Sequence, residues 1–350
     1  MKILVLGATG YVGSRVVPAL LDADHQVVAA SSSTPSPKRF AWGDLVDWVQ
    51  CDVTDPKAVR LALTDVDAIL YLVHSLNARG FQDRDRIGAE VVRDAVAQSG
   101  VRRIVYLSGL VPEVPTEELS RHIYSRLEVE QVLDQAQSPD RTVLSLRAGV
   151  VLGAGSTSFE VIRQLATLLV VQPVPSWLQH DVQPIAVSDV LRAMVEAFAD
   201  DTMTGAVDIG GPDVLPYADL LAACSRAAGL RRVRVPTVPV PTPLVSLGTA
   251  AMSAAPFWTV NALIESLRHE MVCRAGHTWK PQDGQPLMGV RDAMDRALGP
   301  VGSTPEAALP SDPDWTRMRA PVLDELHAPA TVRAGASLAL RRVRTLLGRA

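Results

Sequence analysis

Gly7, Gly10 and Gly13 recur at three-residue spacing in GATGYVG (7–13). Before them lies an apolar run, Lys2-Ile-Leu-Val-Leu6. After them, apolar residues fall at Val12, Val16, Val17, Leu20 and Leu21. Strand, glycine-rich turn and helix in that order are the context in which glycines cradle the phosphates of a dinucleotide. The first glycine permits the tight turn, the second lets backbone approach a pyrophosphate, and the third lets the helix pack close to the strand. Thr9, Tyr11 and Val12 complete the turn. The helix start then offers free N–H groups and the positive end of its dipole to the phosphates. The alternative is an ordinary turn that favours glycine, and three glycines so spaced at the first such junction weigh against it.

The elements that must hold this turn alternate along the first half. Strands read at Gln26–Ala30, Leu45–Gln50, Ala68–Val73, Arg102–Leu107 and Thr142–Leu146. Between them, Asp55-Pro56 reads as a helix cap followed by proline at the first helical position. Asp83–Gln98 carries Ile87, Val91, Val92, Ala95 and Val96 at helical spacing, and Glu117–Gln135 continues alike. Strands separated by helices imply a parallel sheet covered on both faces, an α/β doubly wound fold. Beyond about residue 153 the rhythm loosens. Helices read at Phe159–Val170, from Ser188-Asp189 to Phe198 and at Pro216–Ala228, and strands at Gln183–Val187 and Ala206–Ile209. Residues 1–153 thus form the nucleotide-binding domain, its sheet completed by the strands near 183–187 and 206–209. Residues 154–298 form a smaller substrate-side subdomain, and 299–350 a proline-rich arm with a basic amphipathic helix.

Bulk composition narrows the function classes. The 350 residues are 47% hydrophobic and 21% charged, as in a globular protein, with net charge −4. That charge draws no nucleic acid. Cys51, Cys224 and Cys273 are odd in number and scattered, which fits a reducing, cytoplasmic setting and neither a disulfide framework nor a metal cluster. No signal peptide reads at the N-terminus, and the prolines of the charge-free stretch 235–264 argue against a membrane span. The tail arginines 333, 341, 342, 344 and 349 suit either a membrane-surface or protein contact, or a helix lying on its own protein. The oligomeric state stays open.

GATGYVG, CDVTD (51–55), ILYLVHS (69–75), IVYLSGL (104–110), LRAGVVLG (146–153), PIAVSDV (184–190) and DIGGPD (208–213) together resemble, in order and spacing, the short-chain dehydrogenase/reductase superfamily. The likeness is to atypical or extended members of NmrA-like and NAD(P)-dependent epimerase-like type, and it spans residues 1–300. It implies a Rossmann domain and a nicotinamide cofactor. By position, it implies that Asp52 and Val53 meet the adenine, that Leu72, Val73 and His74 pass behind the ribose, and that Ala148, Gly149 and Val150 turn beside the nicotinamide.

Charge speaks to which cofactor. An NAD site places a carboxylate about 20 residues past the glycines. Here the segment is AASSSTPSPKRF (29–40), without an acid. Ser31 and Ser32 offer hydroxyls to a 2′-phosphate, and Lys38 or Arg39 a positive charge. NADP(H) is therefore expected over NAD(H), against the alternative of a merely solvated loop.

The catalytic centre departs from the family. Typical members pair a serine after the fifth strand with Tyr-x-x-x-Lys on the next helix. Ser108 matches the serine, but the helix reads His122-Ile-Tyr-Ser-Arg126. In one reading His122 replaces the tyrosine as acid/base and Arg126 holds the ribose or a phosphate, giving an oxidoreductase for a small lipophilic carbonyl, enone or quinone. In the other, the protein binds cofactor without turnover, as a sensor or accessory protein, and Arg126 is a surface partner of Glu130. A sugar-nucleotide epimerase or dehydratase stands behind both, for want of the Tyr/Lys pair. Trp177, His180, Gln183 and the apolar stretch 244–264 with Met252, Phe257 and Trp258 are candidates for the substrate side or for core.

Overall fold

The computed structural model describes residues 1–75, 80–236, 261 and 264–312. The stretch 244–260, with Met252, Phe257 and Trp258, and the arginine-rich tail lie outside the described residues. Two compact units divide the chain. The first is Met1–Gly149 with Ser188–Gly210 and Cys273–Leu287; the second is Val150–Val187, Gly211–Val272 and Met288–Ala350.

The first unit is a seven-stranded sheet. Its strands are β1 (Lys2–Leu6), β2 (Gln26–Ser31), β3 (Asp47–Gln50), β4 (Ala68–Tyr71), β5 (Arg103–Gly109), β6 (Thr142–Ala148) and, after an excursion through the other unit, β11 (Gly205–Ile209). The order is β11-β6-β5-β4-β1-β2-β3 and every pairing is parallel. All of β4 and all of β1 but Lys2 are buried, the unbroken apolar run of a strand covered on both faces. This is the Rossmann-like α/β fold. Chain order reverses between β1 and β4, and ligands bind at that switch point beyond the carboxyl ends of the strands.

Helices α1 (Gly13–Asp22), α2 (Pro56–Ala62), α3 (Phe81–Val96), α4 (Arg121–Asp134) and α6 (Val187–Ala199) belong largely to this unit. Asp55 caps α2, accepting from the Lys57 N–H at 2.8 Å, with Pro56 in the first turn. The helix expected from Glu117 starts at Arg121. Thr116–Glu118 form a 3-10 turn after Pro115, and the Ser120 hydroxyl accepts from the Ile123 N–H at 3.3 Å to begin α4. A second difference concerns the sheet's completion. Residues 206–209 join it as β11, but Ile185–Ala186 (β10) pairs with β7 (Val151–Leu152) instead. The free edge of β11 is covered by 277–279: Asp208 N–H donates to the His277 carbonyl at 2.8 Å, and Trp279 N–H to the Asp208 carbonyl at 2.9 Å.

Among its described residues the second unit holds three short ladders, β7–β10, β8 (Val171–Val174) with β13 (Val233–Pro236), and β9 (Asp181–Val182) with β12 (Leu215–Pro216). Its described helices include α5 (Thr157–Leu168), α7 (Tyr217–Ala227) and α8 (Val290–Ala297). Among the described residues, no helix is long and apolar enough to cross a membrane.

Candidate functional site

The glycine turn is built as a phosphate cradle requires. Gly7 adopts φ +92°, which side-chain-bearing residues rarely take. A Cβ on Gly13 would stand 2.2 Å from the Gly7 carbonyl oxygen and 2.7 Å from Ala8 Cα, so α1 starts against the turn with no room for a side chain. Val12, the residue before α1, supplies no side-chain cap. The N–H of Gly10 returns to the Gly7 carbonyl at 3.0 Å, and Gly10 itself is exposed. Tyr11 and Thr9 are half-buried. Arg15, unremarked in the sequence, is buried and lays its guanidinium 4.2 Å from the Tyr11 ring centre, donating to the Tyr11 carbonyl at 3.2 Å. The cradle fits a dinucleotide: the close approach at Gly13 is what brings a helix start onto a pyrophosphate.

At the end of β2, Ser31 is buried while Ser32 and Arg39 are exposed. Arg39 sits on a short 3-10 turn, its guanidinium 5.4 Å from the Phe40 ring centre. Phe40, Trp42 and Trp48 stack on one another, with Phe40–Trp42 centres 4.6 Å apart and Trp42–Trp48 5.4 Å. The Trp42 indole donates to the Ser14 carbonyl at 3.0 Å, tying this loop to the first turn of α1.

Asp52 does not offer a free carboxylate. It accepts from the Thr54 N–H at 3.0 Å and the Thr54 hydroxyl at 2.8 Å, and pairs with Arg84 at 2.9 Å. Burial raises its pKa, but these donors outweigh burial and hold it below the ordinary range. Val53 is buried, and a Cβ on Gly88 of α3 would come 2.8 Å from its methyl. The Leu72 N–H donates to the Leu6 carbonyl at 2.9 Å, and the Leu72 backbone lies where a Gly7 Cβ would meet it at 3.2 Å. Val73 packs at the margin of the core. Ala148 accepts from the Leu110 N–H at 3.0 Å and Gly149 donates to Ile209 at 3.0 Å. Val150 begins the second unit.

His74 meets a partner the sequence reading missed. Its Nδ1–H donates to Asp85 at 2.8 Å, and the other Asp85 oxygen accepts from the Ser75 N–H at 2.9 Å. Asp85 lies on α3 in line with Gly88, Ala89 and Val92, all buried. The signal was an acid inside the helix's buried stripe. Ile87, which the apolar spacing counted as core, is 40% exposed.

The His74 and His122 ring centres are 5.1 Å apart. Burial lowers His74 to about 4, with the Arg126 charge acting in the same direction against Asp85. Burial, then His74 and Arg126, hold His122 well below its ordinary value. Both imidazoles are neutral at pH 7. His74 Nε2 and His122 Nδ1 are buried without a hydrogen-bond partner. Ser108 is buried at the end of β5. Arg126 donates to the Leu107 carbonyl at 2.6 Å, and its Nε has no partner. It does not pair with Glu130, which is taken by Arg147 at 2.6 and 3.0 Å. Tyr124, between the two, is 40% exposed.

In the second unit the His180 Nδ1–H donates to the Leu267 carbonyl at 3.1 Å and the Gln183 amide to the Gly211 carbonyl at 2.8 Å. Trp177 Nε1 is buried without a partner. Among the described residues no group of three or more His, Cys, Asp or Glu could hold a metal ion.

Residues 7–143 match the family model described as NAD(P)H-binding. An uncharacterized protein of Mycobacterium tuberculosis is 24% identical over 98% of this chain, which spans only 40% of that relative's length. A 2-alkyl-3-oxoalkanoate reductase of Stenotrophomonas maltophilia is 34% identical over 112 residues, 31% of this chain and 33% of the reductase. Among solved structures, a nucleoside-diphosphate-sugar epimerase of Staphylococcus aureus superposes with TM-score 0.67 at 14% identity, covering 84% of this chain and all of that one. At this level of identity the likeness shows a shared Rossmann-like α/β fold.

Proposed function

We propose, for a chain whose residues 7–143 form an NAD(P)H-binding domain, that it is an NADP(H)-dependent oxidoreductase of atypical short-chain dehydrogenase/reductase type. Its substrate would be a small lipophilic carbonyl, enone or quinone. The observation that carries this reading is His122: it keeps the four-residue spacing to Arg126 that the family's Tyr-x-x-x-Lys has, is half-buried, and has a buried Nδ1 without a partner. When bound, the cofactor supplies or takes the hydride. His122 handles the proton at the substrate oxygen, and a neutral imidazole N–H can also polarise a carbonyl. Arg126, tied to the end of β5, positions α4 rather than holding the ribose. The acid-free loop with exposed Ser32 and Arg39 supports NADP(H) over NAD(H). The stretch shared with an oxoalkanoate reductase supports a carbonyl substrate.

The test is turnover of NADPH on a panel of carbonyls, enones and quinones, with His122→Ala as control. Loss of turnover in that variant with NADPH binding intact is the expected result. A second reading, a cofactor binder without turnover, draws on Arg126 being committed to the Leu107 carbonyl. Stoichiometric NADPH binding with no substrate consumed across the panel would establish it in place of the first.

A further inference from the structure

The loop after β2 packs three aromatic rings into one group and sets a cation beside it. Phe40 and Trp42 stack with ring centres 4.6 Å apart, Trp42 and Trp48 stack at 5.4 Å, and Phe40 lies 5.9 Å from Trp48. The Arg39 guanidinium stands over the Phe40 ring, 5.4 Å from its centre, within reach of a cation–π contact. Phe40 and Trp42 are buried and Trp48 is half-buried, so Arg39 is the exposed member of the four.

Sheet and helix both hold this group. Trp48 lies on β3 opposite Ala29 of β2, and its indole N–H donates to the Gly43 carbonyl at 2.8 Å. The Trp42 indole donates to the Ser14 carbonyl at 3.0 Å, and the Ser14 N–H donates to the Gly10 carbonyl at 2.9 Å. The aromatic group is therefore tied to the turn that forms the phosphate cradle. The backbone beneath the arginine is pinned as well. Arg39 N–H donates to the Ser36 carbonyl at 3.1 Å and Phe40 N–H to the Pro37 carbonyl at 2.9 Å. A Cβ on Gly43 would collide with that same Pro37 carbonyl. What a phosphate contact must still order is the long arginine stem, whose rotamer entropy is large. An aromatic face under the guanidinium restrains it before a ligand arrives, and such prior restraint turns a contact into affinity.

We propose that Phe40, braced by Trp42 and Trp48, is a positioning residue for Arg39: its ring holds the guanidinium ready for the cofactor's 2′-phosphate and so sets the preference for NADP(H). This rests on the NADP(H) reading and adds to it the residue that makes an exposed arginine selective. A guanidinium meets a phosphate through a planar fork of donors, so its orientation matters as much as its charge. NADPH and NADH differ only in the 2′-phosphate. A ring that acts through Arg39 therefore discriminates between them, whereas a ring that serves only the packing of β2, β3 and α1 affects both alike.

The test is calorimetric titration of the full chain with NADPH and with NADH. Phe40→Leu keeps an apolar side chain and removes the aromatic face. It should weaken NADPH binding about threefold and leave NADH unchanged, while Phe40→Tyr, which keeps the ring, should bind as the wild type does. In an Arg39→Ala background, Phe40→Leu should cost nothing further for NADPH. Equal losses for the two cofactors, or an NADPH loss that persists in full without Arg39, would overturn the positioning role. A wild type that binds both cofactors equally removes the NADP(H) reading and this role with it; an NADPH preference that Phe40→Leu leaves intact overturns the role alone. If Phe40→Leu does not fold, NMR of the wild type with labelled arginine takes its place. The Arg39 Nε–H signal, identified by its loss in Arg39→Ala, should be shifted upfield by the Phe40 ring and should move with adenosine 2′,5′-bisphosphate but not with 5′-AMP. An unshifted signal, or the same response to both nucleotides, counts against the proposal.

Discussion

The carbonyl oxygen of Gly7 occupies the space a Gly13 side chain would need: the two would stand 2.2 Å apart. Backbone faces backbone here, so no rotamer change relieves the clash. Gly13→Ala should cost about 1–3 kcal/mol or more from overpacking and displace the start of α1. Thermal unfolding and NADPH titration check it. A variant with unchanged melting temperature and affinity would mean that the turn is not the rigid cradle described.

The same helix arrangement predicts the behaviour of a buried ion pair. Arg147 on β6 grips Glu130 on α4 with two bonds, at side-chain exposures of 11% and 10%. Removing one partner strands a buried charge, so Glu130→Ala should destabilise by about 3–5 kcal/mol. The double variant Glu130→Leu, Arg147→Met should recover much of that loss. Denaturant unfolding of Glu130→Leu, Arg147→Met and the double measures the coupling.

Which features were readable in the sequence follows from how local they are. The glycine turn, the Asp55-Pro56 cap and the buried strands declare themselves within a few residues, and each is where the sequence puts it. Strand partners are not local. Ala206–Ile209 and Gln183–Val187 read alike, yet only the first reaches β6, while Ile185–Ala186 turns to β7. The site shows the same limit. His122 could be singled out by its four-residue spacing to Arg126, but its neighbour His74 could not be paired with Asp85. That acid sits eleven residues on, in a helix whose Ile87 and Val91 drew the apolar face one step away from the true stripe. Asp52, an adenine contact by resemblance, is held by Thr54 and by Arg84, and the second of these partners lies too far along the chain for a local pattern to show.

Cofactor choice turns on the loop after β2. Arg39 is exposed on its 3-10 turn beside the exposed Ser32. A charge-assisted contact to a 2′-phosphate is worth about 1.5 kcal/mol or more. Arg39→Ala should therefore weaken NADPH binding about tenfold and leave NADH unchanged. Fluorescence titration with both cofactors decides it. Equal losses for the two, or tighter NADH binding by the wild type, would remove the preference.

His74 also gives the fold a pH dependence with a definite sign. Its pKa falls from 6.5 to about 4 on folding, chiefly by burial. Between those values the unfolded chain binds the proton that the folded chain refuses, so stability rises with pH across that window. The contribution is fully present above pH 6.5 and is lost as pH falls through 4, a span of about 3 kcal/mol. His122, lowered by burial in the same way, adds to the slope with the same sign. Replacing His74 by Asn removes a titrating group while keeping a donor for Asp85. Urea unfolding from pH 7 to pH 4 should then show a shallower loss of stability for His74→Asn than for the wild type. Parallel curves for the two proteins would mean that His74 is not held as a neutral imidazole against Asp85 in the folded chain.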